Sequence, residues 1–194
     1  MIKLRIFIII LLMLNMGFVS CDKKPVISDG NLQVTPQKTF AIGEYYKITK
    51  HSDREYSLIL YGKGKNVIKE EEYPKEPSVN LLKDGILQVT ISTGSPASYV
   101  HYFDIISNKV SDVYFNPILA QNGKIVYMNE GELIVSDIFD KTKIFKKIIR
   151  DFSPTANPAS AVLGARFQEG NKLYIDYLSG AEEKETSEII YLNQ

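Results

Sequence analysis

A chain of 194 residues with 23 basic and 23 acidic side chains has no net charge to draw it onto nucleic acid. It holds one cysteine, so no internal disulfide can staple the fold and stability has to come from a packed core. Its two histidines, His51 and His101, lie 50 residues apart, which excludes the common zinc sites that group Cys and His at short spacing.

In chain order the first element is a signal. Lys3 and Arg5 form a positive start, and Ile6 to Leu14 is an apolar run too short to span a bilayer comfortably. Small Ser20 then precedes the only cysteine, Cys21. Phe18-Val19-Ser20-Cys21 resembles the lipobox of bacterial lipoproteins, with Phe18 where Leu is usual. The resemblance implies a signal peptide over residues 1–20, cleavage before Cys21 by the lipoprotein signal peptidase, and diacylglycerol with further acyl chains such as palmitate on that residue. The chain would then sit on the extracytoplasmic face of the cell membrane, with the membrane as its partner through the lipid. Two or three acyl chains hold firmly where one does not. The alternative is an ordinary cleaved signal followed by an incidental cysteine. The mature chain would keep 174 residues (194 − 20), with 21 basic against 23 acidic. Asp22, directly after Cys21, resembles the signal that retains lipoproteins at the inner membrane in some bacteria.

Residues 21–39 read as the lipidated cysteine and a flexible tether, because Pro25, Gly30 and Pro36 interrupt any periodicity. Residues 40–194 suffice for a single domain with one sizeable core. That domain reads as strands throughout. Glu55–Gly62, Gly85–Thr93, Ser98–Ile105, Lys124–Met128, Glu132–Ile138 and Lys172–Leu178 are rich in β-branched and aromatic residues, and many alternate. In Ser98–Ile105, Tyr99, His101 and Phe103 share one face, and Val100, Tyr102 and Asp104 share the other. Turn signals separate the strands: Asp84-Gly85, Ser107-Asn108, Asn122-Gly123, Glu130-Gly131 and Glu169-Gly170-Asn171. Ile144–Arg150 fits a short helix or a strand by pattern.

Three stretches repeat one grammar: strand, Gly-containing turn, strand, an Asp-bearing strand, polar turn, final strand. Their aspartates are Asp104, Asp137 and Asp176, spaced 33 and 39 apart. Glu55–Tyr73 reads as the second half of an earlier unit. The grammar resembles the blade of a β-propeller. The resemblance implies an all-β fold, an antiparallel meander of blade-like β-hairpin repeats, closed into a ring or open. A β-sandwich or barrel built from the same hairpins is the alternative. An aspartate beside a turn accepts hydrogen bonds from the amides that follow it, so the repeated aspartates are expected to be structural.

No group of side chains announces catalysis. Ser92–Tyr99 lacks the Gly-x-Ser-x-Gly elbow, no phosphate or dinucleotide loop is present, and no cofactor is implied. His101 sits mid-strand and is expected to pack at the surface or half-buried. The carboxylates of Lys69–Pro77 are consecutive, so neighbours point to opposite faces. They read as a solvated edge that discourages sheet-to-sheet pairing. Two connections stand out as binding loops: the one bearing Ser95, Ser98 and Tyr99, and the long segment Asp151–Val162 with Asn157. The function expected is that of an extracytoplasmic binding or scaffold module, without enzymatic chemistry, whose partner is another envelope protein or a glycan. The alternative is an envelope hydrolase or accessory enzyme with a site assembled from loops. A transporter's solute-capturing lipoprotein is a poorer match, since no helices alternate with the strands.

Overall fold

A computed structural model describes residues 38–94 and 97–193. Cys21, the signal segment, nearly all of the expected tether and Ser95 lie outside the described residues. The first strand, β1 (Lys38–Ile42), begins two residues before the expected start of the domain. It opens a meander with β2 (Tyr46–Ser52), β3 (Glu55–Tyr61) and β4 (Val67–Tyr73), hydrogen-bonded in chain order. The second sheet runs β5 (Ser78–Leu81), β6 (Ile86–Gly94), β7 (Ala97–Asp104) and β8 (Lys109–Val110). The two-residue β9 (Tyr114–Phe115) also pairs with β7. The third sheet is β10 (Leu119–Gln121), β11 (Lys124–Asn129), β12 (Glu132–Asp137) and β13 (Ile144–Ile148). The fourth holds β14 (Val162–Gln168), β15 (Lys172–Ser179) and β16 (Lys184–Tyr191). Every pairing is antiparallel. The described part is all-β, with two short 3₁₀ turns, at Lys83–Gly85 and Pro158–Ala161, and no α-helix among the described residues. Ile144–Ile148 is a strand: its branched and aromatic side chains suit the pleat, and β12 offers it an edge.

Period-two alternation decides which sheets meet. On the second sheet, Leu87, Val89, Phe103 and Ile105 pack against Ile48, Tyr56, Leu58 and Leu60 of the first. Their neighbours Ile86, Val100 and Tyr102 turn to the other face. There they pack with Tyr114 against Ile125 and Ile138 of the third sheet. Val126, Leu133 and Val135 leave the opposite face of the third sheet to meet Leu173, Ile175, Tyr177 and Ile190 of the fourth. The second and third sheets therefore bury both faces. None of the three apolar clusters joins the fourth sheet back to the first. Tyr114 fastens the middle contact: its hydroxyl donates to the carbonyl of Ile138 (2.9 Å), and its ring lies edge-on between those of Tyr102 and Tyr127, with centroids 6.0 and 5.1 Å away. Burial holds the hydroxyls of Tyr102 and Tyr114 above the usual tyrosine range.

Two of the three repeated aspartates serve their turns. Asp104 Oδ1 accepts from the amides of Ile106 (2.8 Å) and Ser107 (3.2 Å), and Oδ2 accepts the Ser107 hydroxyl (2.6 Å). Asp137 Oδ1 accepts the Phe139 amide at 2.9 Å. Asp176 departs from the pattern. β15 continues past it to Ser179, so it stands opposite Ser187 on β16 and takes the hydroxyls of Ser187 (2.6 Å) and Tyr174.

Candidate functional site

Ser98 lies at the start of β7, on the face shared by Val100 and Tyr102. Asn116 follows β9 and is clamped to Ser98. The Ser98 amide donates to Asn116 Oδ1 (2.6 Å), the Ser98 hydroxyl does the same at 3.3 Å, and the Asn116 amide returns to the Ser98 carbonyl at 2.9 Å. Asn116 takes φ +43°, a left-handed conformation that asparagine tolerates better than most residues. Because the Ser98 N–H has to meet an oxygen, the orientation of the Asn116 amide is fixed. Its Nδ2 is then left buried with no acceptor among the described residues.

The long connection reaches the same place from the other side. Pro158 opens a 3₁₀ turn, Pro158–Ala161, and Asn157 caps it: Asn157 Oδ1 accepts the Ala159 amide at 3.3 Å, and its carbonyl accepts the Ser160 amide at 2.8 Å. The Thr155 hydroxyl donates to that same carbonyl at 2.6 Å. Fully buried Ala161 pins the turn, and β14 follows at once.

Between these segments lies a cavity of about 310 Å3. Ser98, Asn116, Asn157 and Ser160 supply its polar side chains, and Pro117, Ile118, Val162 and Leu163 its apolar wall. No described lining residue is charged. The structure thus gathers Ser98 and Asn157, two of the residues singled out from sequence. It keeps Tyr99 apart, because alternation sends that ring to the opposite face, where it lies 5.3 Å from Phe115. Asn116 and Ser160 were not foreseen. The Asn-Pro pair at 116–117, right after an aromatic strand end, is the signal that marks the first as a turn.

A second cavity, of about 300 Å3, lies along the same connection, lined by Met128, Arg150, Phe152, Ser153, Thr155 and Pro158 among others. Arg150 is spent there on a bidentate pair with Glu188, 2.9 Å at both contacts. A third, of about 200 Å3, is mainly apolar, with Leu82, Ile86, Ala120 and Ile138 around Lys83.

His101 is not at the surface. It is 2% exposed, facing the first sheet beside Val89 and Phe103, and its Nε2 lies 3.6 Å from Glu71 Oε2. Glu71 is the inward member of the Glu70-Glu71-Glu72 run; Glu70 and Glu72 stay exposed. Lys69 pairs with Glu71 at 2.7 Å, and the Tyr73 hydroxyl donates to Glu71 Oε2. Burial presses the His101 imidazole below its ordinary value, against the opposing pull of Glu71; Lys69 adds to the depression. Burial alone would lift the Glu71 carboxyl. The hydrogen bonds from Lys69 and Tyr73, with the field of His101, carry it below the usual range. Burial and Glu71 together raise the Tyr73 hydroxyl. Burial thus favours the neutral imidazole and the hydrogen bonds favour the ionised carboxylate, and His101 lines none of the three cavities. His51 Nε2 stands 3.0 Å from Ser57 Oγ, with Ser57 buried in mid-strand. Among the described residues no three His, Cys, Asp or Glu side chains gather as a metal centre requires.

No family model matches the chain. No curated protein matches it either. Among solved structures it is similar to the computationally designed Ika4 protein, at 13% identity and a TM-score of 0.38, over 88% of this chain and 99% of that one. A likeness so loose leaves the reading of this molecule to its own geometry.

Proposed function

We propose that the protein is a lipid-anchored binding module of the bacterial cell envelope. An acylated Cys21 holds it at the extracytoplasmic face of the membrane, and its sheets are arranged as the blades of a small propeller. The anchor rests on the sequence: a positive start, an apolar run and the single cysteine directly after small Ser20. The propeller arrangement is supported by four meander sheets that follow in chain order and pack neighbour on neighbour. The binding role is carried by one observation. Segments distant in the chain, the start of β7 with Ser98 and the long connection with Asn157, meet with Asn116 on one uncharged polar cavity. Its volume of about 310 Å3 is at the low end for a small-molecule pocket.

A photoreactive residue in place of Leu163 tests this. Leu163 lines the cavity and is 53% exposed. Irradiated cells should yield a ligand adduct from that position and none from Val67, equally exposed at 57% but on β4. Equal labelling from both positions, or none from Leu163, rejects the binding role of the cavity.

A further inference from the structure

We infer that the ligand of this cavity is a neutral saccharide, a compact pyranoside ring; the inference rests on the binding role proposed above. The absence of charge among the described lining residues is the first argument. An ammonium or carboxylate brought into it would lose water and find no countercharge, a penalty that uncharged hydroxyls escape. The second is the kind of polar group on offer. Two carboxamides and two hydroxyls, from Asn116, Asn157, Ser98 and Ser160, present donors and acceptors together. Sugar hydroxyls are donors and acceptors too. Asn116 Oδ1, Asn157 Oδ1 and the Ser98 hydroxyl proton are already paired within the protein, but the Asn116 Nδ2 lacks an acceptor, and an apolar ligand would supply none.

The third argument is shape. The polar groups arrive from three separate stretches: the start of β7, the residue after β9 and the 3₁₀ turn before β14. Groups converging from several sides suit a ring with hydroxyls around its rim. An extended peptide instead takes its hydrogen bonds along one strand edge. Ile118, Val162 and Leu163 supply an apolar wall for the C–H face of the ring.

Titration of the 15N-labelled full chain, followed at the side-chain amides of Asn116 and Asn157, tests the assignment. The neutral probes are methyl β-glucoside and N-acetylglucosamine, the charged ones glucuronate and glucosamine. The uncharged peptide acetyl-Ala-Ala-amide is the third arm. Neutral sugars should shift both amides saturably. The charged analogues should bind at least about tenfold more weakly, since each carries an unpaired charge into the cavity. In Asn157→Leu the Asn116 shift should be lost while core amides such as that of Ile48 keep their positions. If the peptide saturates these amides and the sugars do not, the saccharide is overturned and the binding role stands. If sugars bind but Asn157→Leu leaves their effect intact, they bind elsewhere, and the saccharide assignment to this cavity falls. Charged analogues binding as tightly as neutral ones, or no probe shifting either amide, likewise overturn the saccharide. The cross-link at Leu163 then still decides the binding role separately.

Discussion

His101 and Glu71 illustrate what a single residue reveals in sequence and what it hides. The consecutive carboxylates of β4 had to alternate, and they do: Glu70 and Glu72 face water, Glu71 turns inward. That Glu71 would meet a histidine on another sheet was not legible, because the pairing depends on which two faces pack. The aspartates divide in the same way. Asp104 and Asp137 hold the turns that follow them, as their place at strand ends suggests. Asp176 shares the spacing without the role, since β15 runs on beyond it. The His101 pair has a consequence for stability. Burial lowers the folded-state pKa of His101 below the ordinary histidine value of about 6.5. Below that value the unfolded chain binds a proton that the folded chain refuses, so acid favours unfolding. Stability is therefore full above about pH 6.5 and declines as pH falls from there, with a slope of at most about 1.4 kcal/mol per pH unit for the one proton. Glu71, depressed in the fold, adds its own loss only at lower pH, in the carboxylate range. Urea melts of wild type and His101→Gln across pH 7.5 to 5 check the sign: the variant should show a flatter slope. Identical slopes would mean that His101 does not titrate on unfolding.

At the scale of elements, the six strands predicted from alternation all form, within a residue or so at each end. β1 and β2 were not singled out, and the repeat grammar placed strands where the short β5, β8, β9 and β10 lie without giving their bounds. Segments of two to four residues carry no readable period, and only their neighbours make them strands. The hairpin turns were legible because backbone handedness restricts who can sit there. At Asn122-Gly123 both residues take positive φ, +53° and +70°, as a type I′ turn demands. The equivalent turn between β11 and β12 uses Glu130, at φ +50°, before Gly131. Glutamate gains nothing local there, and the left-handed conformation costs an ordinary L-residue about 1 kcal/mol or more. Glu130→Asn should thus raise stability by about 0.5–1 kcal/mol, because asparagine tolerates that conformation and the exposed side chain leaves no cavity behind. Thermal melts that place the variant at or below wild type would show that the turn is not strained by its glutamate.

The whole molecule joins an expected anchor to a series of sheets. Acylation at Cys21 predicts that a clickable fatty-acid analogue labels wild type and not Cys21→Ser, and that the variant moves from the detergent to the aqueous phase. Equal labelling of both would remove the anchor. In the domain, the repeat grammar marked three units and half of an earlier one but not which faces meet, because alternation marks two buried faces alike. The clusters supply that answer: first with second, second with third, third with fourth. Of the three, the middle cluster has the fewest residues, yet it is the one that joins the second sheet to the third. The second and third sheets bury apolar residues on both faces, so neither pair of sheets is complete without the other. Ile125 is fully buried in that middle cluster. Ile125→Ala should cost about 2–5 kcal/mol, the range for emptying such a site. If the series is one cooperative unit, the loss appears equally at both ends. The amides of Leu58, in the first sheet, and Ile175, in the fourth, should lose hydrogen-exchange protection by the same factor, and the urea midpoint should fall with its slope unchanged. A repeat array with weak coupling behaves otherwise, since each unit depends only on its neighbours. If Leu58 keeps its protection while Ile175 loses it, or the reverse, the molecule is two coupled halves and the middle contact is a joint between them.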